Sequence, residues 1–246
     1  MKAFPGTLAG TDRQQGETMM FKANLKIAAI AIGVLVASAA GAKAPDTWDN
    51  LYKFKAKNVD VAYLLPDADF RSYTKVMLDP AEVAFDKNWQ RDYNSSITGI
   101  SRRITDADAV EMLQKASTRF NSIFSDAFAK GGYQIVTTPG PDVLRIRAAV
   151  INIRVAAPDQ MTAGRSRSFS SEAGSGTLVV EVRDSQTNAV MGRVVDSRLI
   201  GDSRMQMRNS VTNQADFERE FRIWADVSVK GMNTLKANSP LKIPAK

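Results

Sequence analysis

The chain has 246 residues, 44% hydrophobic and 24% charged, enough for one or at most two folded domains. Its net charge of +7 comes from dispersed basic residues and argues for no specific nucleic-acid target. Neither Cys nor His occurs, which excludes disulfides, thiolate nucleophiles, imidazole bases and the zinc sites that need such ligands. A carboxylate pair, a Ser–Lys pair or a carboxylate magnesium site stays open; no cofactor is expected.

Residues 22–44 have the order of a secretory leader: Lys22 and Lys26, an apolar run over 25–36, then small residues at 37–44. The run is too short to span a bilayer. Cleavage is expected after Ala39 or Ala42, with Met19 and Met20 as alternative starts of translation. With no Cys for a lipid anchor, a soluble, exported, periplasmic domain is expected, without a transmembrane segment after cleavage. Residues 1–42 are thus an extension and leader. Residues 43–68 read as an irregular arm pinned by Trp48, Leu51, Tyr52 and Phe54. One domain is expected over 69–238, followed by a tail at 239–246.

Residues 73–78 carry strand formers, and Asp79-Pro80 interrupts them, because proline donates no ladder hydrogen bond. Residues 81–85 are extended again, as a bulged edge strand or a separate strand. The bend should aim Val83 and Phe85 into the core, and residues 86–89 read as a turn. The clearest helix covers 105–130: Thr105 caps it, Asp106 and Asp108 suit its positive end, and Phe120, Phe124 and Phe128 lie on one stripe. Gly131-Gly132 ends it.

A strand is expected at 133–137, a turn at 139–142, and a long strand at 143–155 whose alternation slips near 148–151. Residues 157–175 read as a Ser-, Gly- and Arg-rich loop. Leu178, Val180 and Val182 alternate with Val179, Glu181 and Arg183, and 189–199 returns as the hairpin partner. Residues 201–210 read as a polar connection, and 213–235 as a second helix packed through Phe217, Phe221 and Trp224. Two amphipathic helices need an apolar surface to cover. The expected class is therefore α+β, a mainly antiparallel sheet with both helices on one face.

Asp79 and Glu82 are the foremost carboxylate pair. Three residues apart on an ideal strand, they would sit on opposite faces about 10 Å apart, and Asp79 before a proline is more economically a turn cap. Trp89, Arg145 and Arg147 are candidates for a ligand or partner site, and Arg165 and Arg167 could hold an anion. No residue is assigned a catalytic or metal-binding role.

The stretch "DADFRSYTKVMLDPAEVAFDKNW", with "GYQIV", "PDVLRIRAAVINI" and "GTLVVEVRDSQTNAVMGRVVD", resembles a family of exported bacterial proteins classed as domain of unknown function 3313, over roughly residues 60–236. The resemblance implies a Gram-negative envelope setting and brings no activity, cofactor or catalytic residue. The leading expectation is a non-enzymatic periplasmic domain that meets an envelope protein or polymer. The alternatives are a small-ligand or envelope-polymer binding module, with a deep pocket rimmed by Trp89, Arg145 and Arg147, and a carboxylate-dependent hydrolase.

Overall fold

The structure, a computed structural model, describes residues 44–97, 103–156 and 168–242. The chain begins with three short strands, β1 (Thr47–Trp48), β2 (Leu51–Phe54) and β3 (Val61–Leu64). β4 (Lys75–Leu78) and β5 (Glu82–Phe85) precede two helices, α1 (Trp89–Ser96) and α2 (Asp106–Lys130). Then come β6 (Gln134–Ile135), β7 (Val143–Val155), β8 (Ser168–Asp184), β9 (Val190–Arg208) and α3 (Ser210–Asn238). The nine strands form one open sheet in the order β1-β2-β3-β9-β8-β7-β4-β6, and β5 also pairs with β7.

The expected α+β class with two helices is corrected: the described residues are mixed α/β, with three helices on a mostly antiparallel but open sheet. The parallel pairs are β4 with β6, β4 with β7 and β5 with β7. The cause is connectivity. α1 and α2 intervene between β5 and β7, and a helical crossover returns the chain in the same direction. α1 has a weaker apolar signature than the other helices, resting on Trp89 and Tyr93 four residues apart.

The segment expected as an irregular arm instead forms β1 to β3, pairing through β3 with β9. Of the loop expected over 157–175, residues 168–175 are strand instead, because β8 begins at Ser168; residues 157–167 lie outside the described residues. The polar connection at 201–210 is strand as far as Arg208, paired with β8 across two register shifts. In both places backbone pairing overrides a polar, turn-rich sequence.

Alternation on the long strands sorts the core. Leu144, Ile146, Ala148 and Val150 of β7 and Leu178, Val180 and Val182 of β8 are buried on the face that α2 and α3 cover. Phe120, Phe124 and Phe128 of α2 are each at most 2% exposed, and Phe120 meets Phe221 of α3 edge-on at 5.3 Å. Each such ring contributes about 1.5–3 kcal/mol through burial. Thr105 and Asp108 form a reciprocal capping box at the start of α2, and Asn209 and Thr212 do the same for α3. Gly132, at φ 93°, takes the left-handed turn that ends α2.

Candidate functional site

The other face of the same strands carries charge. Arg145 and Arg147 on β7, Glu181 and Arg183 on β8 and Arg193 on β9 alternate with the core residues, and cross-strand pairing sets Arg147 opposite Glu181 and Glu181 opposite Arg193. Asp79 and Glu82 join them from the edge. Five residues of that edge, from Leu78 to Glu82, lie against four of β7, from Ile146 to Ala149. The additional residue corrects the faces, so the two carboxylates share one face rather than opposite ones. Two side chains of α2 pin the break: Asn121 Oδ1 accepts the Ala81 N–H at 2.9 Å, and the Ser117 hydroxyl donates to the Ala81 carbonyl at 3.0 Å.

Asp79 is therefore not the turn cap that its place before Pro80 implies. Both its oxygens accept from Arg145 Nε at 3.0 Å, and Arg147 Nε lies 3.5 Å away. Arg147 Nη2 is 3.9 Å from Glu82 Oε1, and Arg147 Nη1 is 3.9 Å from Glu181 Oε1. Glu181, 2% exposed, accepts from Arg183 Nε at 2.5 Å and Arg193 Nε at 2.7 Å. Arg193 reaches on to Asp49 in the turn between β1 and β2 and lies 4.5 Å from the Trp48 ring centroid.

Burial pushes the Glu181 carboxyl up, but hydrogen bonds from Arg183 and Arg193 outweigh it and hold the group below its ordinary value. A carboxylate so held accepts hydrogen bonds and does not supply protons near neutral pH. Arg147 Nη2 is buried and makes no hydrogen bond, although the group remains within ion-pair range of Glu82. The arrangement is a nearly self-neutralised network with one unused donor.

Trp89 is elsewhere. It is 3% exposed in a satellite core with Ile104 and Ala109, stacks on Phe85 at 4.2 Å, and donates from Nε1 to the Val155 carbonyl at 3.1 Å. Its other side borders an open cleft of about 460 Å³ that Arg154, Glu172 and Leu199 also line. The structure thus brings Asp79, Glu82, Arg145 and Arg147 together and leaves Trp89 out, so the pocket rimmed by Trp89, Arg145 and Arg147 is not formed. Arg165 and Arg167 lie outside the described residues, as does the leader.

Sequence reasoning missed Glu181, Arg183, Arg193 and Asp49 as members of this network. The signal was there for two of them: Glu181 and Arg183 alternate with the apolar residues of β8 and so share one face. Among the described residues, no three of His, Cys, Asp and Glu gather where they could hold a metal ion, and no helix is long and apolar enough to cross a membrane.

The chain belongs to the family described as protein of unknown function (DUF3313), whose model matches residues 53–227. No curated protein matches it. Among solved structures it is similar to a DUF4136-family protein of Bacteroides thetaiotaomicron, with 11% identity over 77% of this chain and 98% of that one and a TM-score of 0.35. A DUF330 protein of Xanthomonas campestris is 15% identical over 72% and 91%, TM-score 0.34. A PelC dodecamer from Paraburkholderia phytofirmans is 8% identical over 68% and 96%, TM-score 0.34. Overlaps this loose carry nothing about function.

Proposed function

We propose that this DUF3313 chain is a non-enzymatic binding domain of the bacterial envelope, exported through the leader at residues 22–44, and that a partner docks on the charged sheet face around Arg145 and Arg147. The observation that carries this is the unused Arg147 Nη2 donor, flanked by half-exposed Glu82 and Arg145 side chains at 46% and 36%. A partner carboxylate or carbonyl that displaces the half-exposed Glu82 side chain completes that buried donor. Burying it there without such an acceptor is unfavourable. A protein with an acidic loop suits the site better than a polyanion, because Asp79, Glu82 and Glu181 lie beside the arginines and would repel dense negative charge.

The carboxylate hydrolase finds less support. It needs one free acid and one free base, whereas Asp79 and Glu181 are already engaged by guanidinium groups.

The test is site-specific photo-crosslinking in the periplasm of a Gram-negative host. A crosslinker in place of Glu82 should give a discrete adduct that Arg147→Gln removes, while one in place of exposed Lys115 on α2 gives none. Equal labelling from both positions, or an adduct indifferent to Arg147, overturns the docking face. Intact mass of the same material should show a first residue between Ala40 and Pro45; a periplasmic form retaining residues 21–36 would refute cleavage.

A further inference from the structure

Beneath the helix-covered face, between β8 and α3, lies a cavity of about 100 Å³. Its walls are Phe70, Phe128, Ile146, Leu178, Val182 and Trp224. The polar groups at its boundary are engaged elsewhere. The Trp224 indole donates to Asp196 at 2.8 Å, the Ser228 hydroxyl donates to the Trp224 carbonyl at 2.8 Å, and the Arg193 guanidinium is held on the opposite face by Glu181 and Asp49. The interior is therefore apolar, the kind of cavity that stays dry and takes apolar ligands.

The exposed members of its lining are Lys57, in the turn between β2 and β3, and Gly231 on α3. The cavity opens between them. Gly231 is in the interior of a helix, where glycine is less favourable than alanine. A Cβ there would meet nothing within 4 Å, and no positive φ is recorded, so neither packing nor backbone conformation calls for glycine. An empty apolar cavity also lowers stability relative to a filled one. Two stabilising substitutions are absent at one place: a larger side chain in the cavity and any side chain over its mouth. Lys57 makes no ion pair among the described residues.

We propose that this cavity binds the tail of an aliphatic carboxylic acid or of an anionic lipid's acyl chain, with the Lys57 ammonium holding the anionic end. An engineered cavity of about 150 Å³ accepts benzene, so this one has room for roughly four carbons of the chain. The remaining carbons pass Gly231 toward Lys57, which matches an acid of about eight carbons better than a long one. The inference is independent of the docking reading above, because the cavity lies under the opposite face of the sheet.

The probe is 8-bromooctanoate, whose bromine quenches tryptophan on contact; Trp224 is in the cavity wall, while Trp48 and Trp89 are not. Saturable quenching, displaced by octanoate, is expected. Gly231→Leu should abolish it while the melting temperature stays the same or rises, since a leucine favours the helix and closes the mouth. Gly231→Ala should keep it, and Gly231→Met is a second closing variant should leucine disturb the fold. Lys57→Gln should weaken octanoate roughly fivefold and leave 1-octanol unchanged. Vesicles of phosphatidylglycerol with brominated chains separate the sources. Quenching by vesicles assigns a lipid chain, and quenching by the free acid alone assigns a small fatty acid. Absence of quenching from both, or equal quenching in well-folded Gly231→Leu or Gly231→Met, overturns the site.

Discussion

On β7, Leu144, Ile146 and Ala148 point under the helices, while Arg145 and Arg147 point the other way. The same strand thus builds two surfaces that cohere by different physics. The covered face is held by apolar area and ring packing, which are non-directional and tolerate small shifts. The open face is held by guanidinium–carboxylate pairs, which depend on geometry and on protonation. Damage to the first should cost stability at every pH, and damage to the second should depend on pH.

The largest effect is expected on the covered face. Phe128 is fully buried among Phe124, Tyr133 and the cavity walls. Phe128→Ala should lower unfolding free energy by about 3–5 kcal/mol, measured by urea denaturation. The loss should be nearly the same at pH 7 and pH 4. A loss confined to one pH would break the distinction between the faces.

Glu181→Gln is the matching test on the open face. It leaves Arg183 and Arg193 beside a neutral amide, and removing one partner of a buried pair costs roughly 3 kcal/mol. The sign of the pH dependence follows from the depressed carboxyl. In the folded protein Glu181 titrates below its ordinary 4.5. Its contribution is complete above the unfolded value and is lost as pH falls through the folded one. The wild-type advantage over Glu181→Gln should therefore be full at pH 7 and shrink below about pH 4.5. An unchanged difference at pH 3 would show that the glutamate acts by shape and not by charge.

A smaller effect of opposite sign is expected from Glu220 on α3. Burial raises its carboxyl despite the nearby Arg198, and its Oε1 is buried without a hydrogen bond. The folded form thus keeps a proton that the unfolded chain has already released. Stability falls as pH rises from the ordinary 4.5 through the folded value, and the penalty persists above it. Glu220→Gln should gain about 1 kcal/mol at neutral pH and nothing below pH 4. A variant that is destabilised at pH 7 would mean that its ionised form is held by a partner.

These contrasts also explain what could be read from the chain beforehand. α2 was legible almost to the residue, because a Phe stripe, a capping threonine and a Gly-Gly stop are local signals. The long strand β7 was legible for the same reason, but the slip expected near 148–151 is not one: pairing is unbroken from Leu144 to Ile151, with Ala148, Ala149 and Val150 buried on both faces, and the register shifts only beyond Ile151, where Asn152 takes φ 53°. β1 to β3 were not, since strands of two to four residues exist only through their partners. The polar ends of β8 and β9 were missed because each stabilises the other across a hairpin, and neither half shows strand character alone. The charged face was half legible. Parity placed Arg145 with Arg147 and Glu181 with Arg183, but not one pair beside the other. Asp79 and Glu82 could not be placed on one face until the bulge that corrects them was known.

The smallest stability change is expected from Asp79→Asn, and it bears most directly on function. Asp79 is part-buried, at 20% exposure for its side chain, and Arg145 is more open at 36%, so solvent screens their pair in part. Partly screened pairs contribute on the order of 1 kcal/mol, and asparagine keeps an oxygen for Arg145 and the extended backbone that Pro80 requires. The neighbouring Phe85 is only partly buried, stacked on Trp89, so Phe85→Ala should fall short of the 3–5 kcal/mol of a fully buried ring yet still exceed Asp79→Asn. The two variants separate packing from recognition. If the sheet face docks a partner, Asp79→Asn removes the charge that neutralises Arg145 and should change crosslinking from position 82 while thermal melting hardly moves. Phe85→Ala should lower melting and leave crosslinking of the remaining folded protein as it was. Should crosslinking instead follow stability in both variants, the charged face is scaffold alone, and its arginines serve only to neutralise Glu181 and Asp79.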